Sequence, residues 1–171
     1  MGMFRRAREL GPPLLVPLAW TFVAAAQVGV VADRTIFIAL VVMSVLLAGF
    51  AATGRDDMRS GTLLVWWRII AVGTVVTLCG VAGFLLDPRD ERLLTIALVG
   101  WMLLPAVGFV ETGRRVTAGA WIYAAGAVGC AVGAVLYGWG LAVASDPGML
   151  AGLALVGTGQ TAGIFDAALR S

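Results

Sequence analysis

Histidine, lysine and asparagine are missing from this chain, and charged residues make up only 13% of it. Without histidine there is no usual general base and no commonest haem ligand, and without lysine no retinal-type Schiff base can form. The two cysteines, Cys79 and Cys130, stand in apolar stretches with no CxxC spacing and no histidine partner. They read as small hydrophobes, not as a disulfide, a thiol redox pair or a zinc site. The spaced multi-aspartate motif of a lipid phosphotransferase is absent as well. No catalytic residue, cofactor or metal is expected.

What fills the space is apolar: 60% of the residues are hydrophobic, where soluble domains are about half apolar and about a quarter charged. Six stretches, 10–32, 35–54, 69–86, 93–110, 116–145 and 147–165, hold no Asp, Glu or Arg, and each has at least 18 residues. At about 1.5 Å per residue, a run of that length covers roughly 27 Å, close to the hydrocarbon thickness a spanning helix must cross. Strands of a membrane barrel would alternate in character over about ten residues, which "IALVVMSVLLAGF" does not. The expected fold is an all-α integral membrane protein, one transmembrane domain over 1–171 with six transmembrane helices.

Arginine sets the expected orientation, because loops kept in the cytoplasm are enriched in basic residues. With the N-terminus inside, Arg5, Arg6, Arg8, Arg55, Arg59, Arg114, Arg115 and Arg170 fall on the inner side, and Arg34, Arg89 and Arg92 on the outer. Both termini are then cytoplasmic. The first residues also have the order of a signal peptide, basic then apolar with Ala24 to Ala26 as an A-x-A-like site, but the reading adopted is an uncleaved first span. The missing lysine, histidine and asparagine suit a GC-rich genome, so the expected location is a prokaryotic cytoplasmic membrane.

One heptapeptide pattern occurs twice. "GFAATGR" at 49–55 and "GFVETGR" at 108–114 share G-F-x-x-T-G-R at a spacing of 59, and Asp87-Pro88 and Asp146-Pro147 are separated by the same 59. Glycine followed by arginine suits an inner helix end, with Gly54 and Gly113 expected in the left-handed conformation that closes a helix. Asp-Pro suits the start of the next helix at an outer turn, with Asp as its cap. Beyond the outer turns come Ile38 to Val41, Ile96 to Val99 and Leu153 to Val156, while Trp20, Trp67 and Trp121 sit early in the odd-numbered runs. The order of marks predicts three tandem helical hairpins, 12–53, 62–112 and 117–169, with rough threefold pseudosymmetry. A two-helix unit returns the chain to its starting side, so these repeats are parallel and lend no support to an inverted-repeat transporter.

Candidate functional residues are few. Gln160 in the sixth run and Gln27 in the first are the largest uncharged polar groups within the apolar stretches, and each needs partners in lipid. Trp101, mid-way along the fourth run, is placed as a flat wall beside Gln160. Interhelical hydrogen bonding and a small-ligand site are both open. Arg68, Glu111 and Asp166 all fall near inner helix ends, either as a buried ion cluster or, for Arg68, as a snorkelling residue beside Trp66 and Trp67. Ala125, Gly129 and Gly133, with Gly159 and Gly163, are expected to let the fifth and sixth helices approach closely. Acidic residues in "DPRDER" and "GRDDMR" are interleaved with arginine and read as solvated.

In size and helix count the chain resembles the substrate-binding components of vitamin-importing energy-coupling-factor transporters. The resemblance is one of outline: no motif carries over, and no family is assigned. The leading expectation is a non-enzymatic membrane protein that handles a small solute as a transporter, channel or solute-binding component. The alternative is an accessory or scaffold subunit of a larger membrane complex. A homo-oligomer is compatible with either, and no nucleic-acid partner is expected.

Overall fold

A backbone in lipid has to satisfy its own N–H and C=O groups, which long uninterrupted helices do. In the computed structural model, residues 3–170 are described, with side chains described from 14 to 169. The side chains of Arg5, Arg6, Arg8 and Arg170, assigned above to the inner side, lie outside the described residues. The described chain is all-helical: α1 (Met3–Gln27), α2 (Asp33–Thr53), α3 (Gly61–Leu85), α4 (Glu91–Arg115), α5 (Ala120–Ala142) and α6 (Asp146–Arg170). Five of them, α2 to α6, are long and apolar enough to cross a membrane, whereas the described apolar part of α1, Leu14–Gln27, is shorter.

The helices pack in the order α2, α3, α4, α5, α6, α1, and α4 also touches α6, so the row curls around those three elements. Consecutive helices are neighbours in space with one exception: α1 and α2, joined by residues 28–32, do not pack as a pair. Within the expected 12–53 hairpin, α1 turns to α6 and α2 to α3. The core lies between α4, α5 and α6, where Met102, Phe109, Tyr123, Cys130, Leu153 and Val156 are at most 1% exposed. By contrast, Ser44 is the only fully buried residue along α2, where Phe37 and Leu40 lie half-buried against α3 and Val42, Val45, Leu46 and Phe50 are exposed.

The tightest contact joins α5 and α6. Tyr123, Gly126, Cys130, Gly133, Tyr137 and Gly140 are the buried stripe of α5, with the alternating three- and four-residue steps of a coiled-coil seam. Glycine at every seventh place lets backbone meet backbone, as a Cβ on Gly126 would lie 3.0 Å from the Gly159 carbonyl oxygen and one on Gly133 would lie 2.7 Å from that of Gly152. Dispersion over such surfaces is the main attraction available between helices in lipid. Gly129, Gly133, Gly159 and Gly163 belong to this contact or its extension onto Phe109. Ala125 does not: it is exposed, because the seam runs through Gly126 one residue later.

Helix ends differ from the expected corner chemistry. Gly54 closes α2 in a right-handed conformation, φ −84°, and Gly113 lies inside α4, which continues to Arg115. A Cβ on Gly113 would come 3.1 Å from the Cβ of Tyr123, so the glycine serves close approach and not a turn. Left-handed glycines instead open the next helices, Gly61 at φ 63° before α3 proceeds and Gly119 at φ 77° before α5. The cap of α4 is Asp90, whose carboxylate accepts from the backbone N–H groups of Arg92 and Leu93, and not Asp87. Before α6, the hydroxyl of Ser145 accepts from the Gly148 N–H, so serine and not Asp146 is the capping side chain.

Candidate functional site

Proline at position 105 leaves the carbonyl four residues earlier, on Trp101, without its helical N–H donor. Gln160 answers that vacancy. Its amide Nε2 donates to the Trp101 carbonyl at 3.0 Å and approaches that of Met102 at 3.5 Å, while its Oε1 accepts from the Trp20 indole at 3.0 Å. One amide therefore ties α1, α4 and α6 together, and Gln160 is only 4% exposed. Here Trp101 contributes its backbone. Its ring points away to α3, where a Cβ on Gly73 would come within 2.6 Å of it, and its indole donates to the Thr77 hydroxyl at 2.8 Å.

Gln27 has a similar role at the C-terminal end of α1. Its Oε1 accepts from the buried Tyr137 hydroxyl at 3.0 Å and its Nε2 lies 3.4 Å from the Met149 sulfur, which joins α1 to α5 and α6. Thus α1 runs antiparallel along α6, with Gln27 level with Met149 and Trp20 level with Gly157 and Gln160. The structure brings Gln27 and Gln160 to one seam, about two to three helical turns apart by the spacing of their α6 partners.

Two further indoles repeat the theme. Trp66 donates to the Thr112 hydroxyl at 3.2 Å and Trp67 to the Ala51 carbonyl at 2.8 Å, binding α3 to α4 and α3 to α2. The threonine acceptors, Thr77 and Thr112, pass their own protons to carbonyls four residues back on Gly73 and Gly108. Each polar group is thereby satisfied without opening its helix. Trp121 and Trp139 stand apart, at 72% and 55% exposure. The three tryptophans that mark the sequence repeat accordingly do unlike things: Trp20 fastens α6, Trp67 fastens α2, and Trp121 faces outward.

Arg68, Glu111 and Asp166 are not joined as a cluster by Arg68. Glu111 pairs with Arg115 one turn along its own helix at 2.5 Å, and Arg68 is exposed, with no ion pair to either carboxylate among the described residues. Arg89 bridges Asp33 and Glu91, each at 2.6 Å, and so links the start of α2 to the start of α4. The hydrogen bond with Glu91, against slight desolvation, and then the two carboxylate charges raise its pKa above the ordinary guanidinium value. Cys79 and Cys130 are free thiols, and no group of three or more potential metal ligands occurs among the described residues.

Sequence reasoning missed Pro105, Trp20 and Tyr137 as partners of the two glutamines. A signal for the first existed: a proline four residues after Trp101 announces an orphan carbonyl at mid-helix. The heptad glycines 126, 133 and 140, facing 159, 152 and 148, were also legible, had a seven-residue step been sought. No protein-family model, no curated protein and no solved structure matches this chain.

Proposed function

We propose that this protein is a non-enzymatic, multi-pass membrane module that serves as an accessory or scaffold subunit of a larger assembly. The observation that carries this reading is the use made of its polar groups. Gln27, Gln160, Thr77, Thr112 and four indoles are engaged in fastening helices, and no buried side-chain N or O atom among the described residues lacks a partner. Groups held this way stiffen a bundle and are not free to escort a solute.

Six spans suit the packing better than five, because α1 lies along α6 from Met149 to Gln160. Both termini then share the side of Arg55, Arg59, Arg114 and Arg115, the cytoplasmic side by the positive-inside rule. A prokaryotic cytoplasmic membrane remains the proposed location. Of the three tandem hairpins, α3 with α4 and α5 with α6 fit the packing order, whereas α1 and α2 do not pack as a pair.

The second reading, a solute-handling membrane protein, draws on the lack of packing between α1 and α2. Native mass spectrometry of the full chain, released gently from its own membrane, separates the two. A stoichiometric partner chain is the expected result. A discrete non-lipid adduct with no partner would move the function to solute handling.

A further inference from the structure

We infer that Arg68 and Arg55 form a binding site for the phosphate of an anionic phospholipid in the inner leaflet, an inference that rests on the transmembrane reading. Arg68 is the eighth residue of α3, roughly 10 Å along the helix. It shares its outward stripe with Val72 and Val75, which are 49% and 62% exposed, whereas Trp66, Ile69 and Gly73 face α4. The guanidinium therefore starts from a lipid-facing position inside an apolar helix. An arginine in that position is expensive unless paired.

Among the described residues no carboxylate pairs with it: Asp56 pairs with Arg59, and Glu111 with Arg115. The stem of Arg68 has the length to carry its head back toward the headgroup layer. The anion available at that depth is phosphate, and a planar guanidinium matches phosphate with paired hydrogen bonds.

A second guanidinium is held at the same corner. Arg55 lies 5.9 Å from the centroid of the Trp67 ring, an attraction that fixes its position, and the Trp67 indole is itself anchored to the Ala51 carbonyl of α2. Arg55 and Arg68 thus flank Trp67 where α2 ends and α3 begins, both exposed and neither paired with a carboxylate among the described residues. Arg34, Arg92 and Arg114 also lack such a partner, but they stand at helix ends outside the apolar stretch.

The test is native mass spectrometry of the full chain in detergent, titrated with phosphatidylglycerol and with phosphatidylcholine of the same acyl chains. Wild type is expected to bind phosphatidylglycerol in preference. Arg68→Gln should lower that affinity about five-fold, the weight of one basic residue at an anionic surface, Arg68→Lys should keep most of it, and Arg34→Gln should leave it unchanged. Equal binding by wild type and Arg68→Gln, or no preference between the lipids, overturns the site. Displacement of the lipid by millimolar inorganic phosphate assigns the site to a soluble anion and overturns the lipid as its ligand. Alkaline carbonate extraction of the wild-type membranes is run in parallel: release of the chain sinks the transmembrane reading itself, while retention without lipid preference sinks the lipid site alone.

Discussion

Replacing Gln160 with leucine keeps the volume of the side chain but removes the amide that answers the Trp101 carbonyl and the Trp20 indole, each at 3.0 Å. Interhelical hydrogen bonds in a bilayer average about 0.6 kcal/mol and reach about 1.7, so the loss of two well-formed bonds should destabilise the bundle by about 1–3 kcal/mol. The informative step is to repeat the change in a Pro105→Ala background. Alanine restores an N–H at position 105 and with it the helical bond to the Trp101 carbonyl, leaving only the Trp20 bond for Gln160 to lose. The double-mutant cycle should therefore return a coupling of about 0.6–1.7 kcal/mol, whatever Pro105→Ala does by itself. Reversible unfolding of the full chain by dodecyl sulfate in mixed micelles, followed by tryptophan fluorescence, measures all four corners with no tryptophan altered. A coupling below about 0.3 kcal/mol, within the additivity of independent sites, would refute the claim that Gln160 is there because of Pro105.

Other consequences follow from the same packing. Gly133→Ala places a Cβ 2.6 Å from a Val156 methyl and 2.7 Å from the Gly152 carbonyl, and the overpacking should destabilise by about 1–3 kcal/mol in the same unfolding assay. Gly138→Ala, on the same helix with nothing within 4 Å, should change stability by less than about 0.5 kcal/mol. Tyr137→Phe and Gln27→Leu should each destabilise by about 0.6 kcal/mol or more, and the double variant by less than their sum, because they break one shared bond. Arg89→Gln should cost no more than about 1 kcal/mol, a loss that shrinks further in high salt, since its pairs with Asp33 and Glu91 are solvent-exposed.

The helical class was legible because charge-free runs of 18 residues or more leave few alternatives. Helix ends were less so. The G-F-x-x-T-G-R motif lies at the C-terminal ends of α2 and α4, yet Gly54 is right-handed and Gly113 remains helical, since glycine permits a left-handed turn without requiring one. Gln160 was recognisable as a group in need of partners. Which partners it finds was not, because Trp20 is 140 residues away in sequence and the Trp101 carbonyl is a backbone group that every residue has.

Sequence by itself determined that the chain is a set of apolar helices and that histidine- and lysine-dependent chemistry is excluded. These follow from local composition, which acts on each segment alone. Tertiary structure alone decided that α1 sides with α6 and not with its sequence neighbour α2, and that the close seam runs through Gly126 and not Ala125. Such choices depend on which faces meet. In lipid every helix is apolar all round, so hydrophobicity gives no preference among faces, and small residues and a few hydrogen bonds settle the matter.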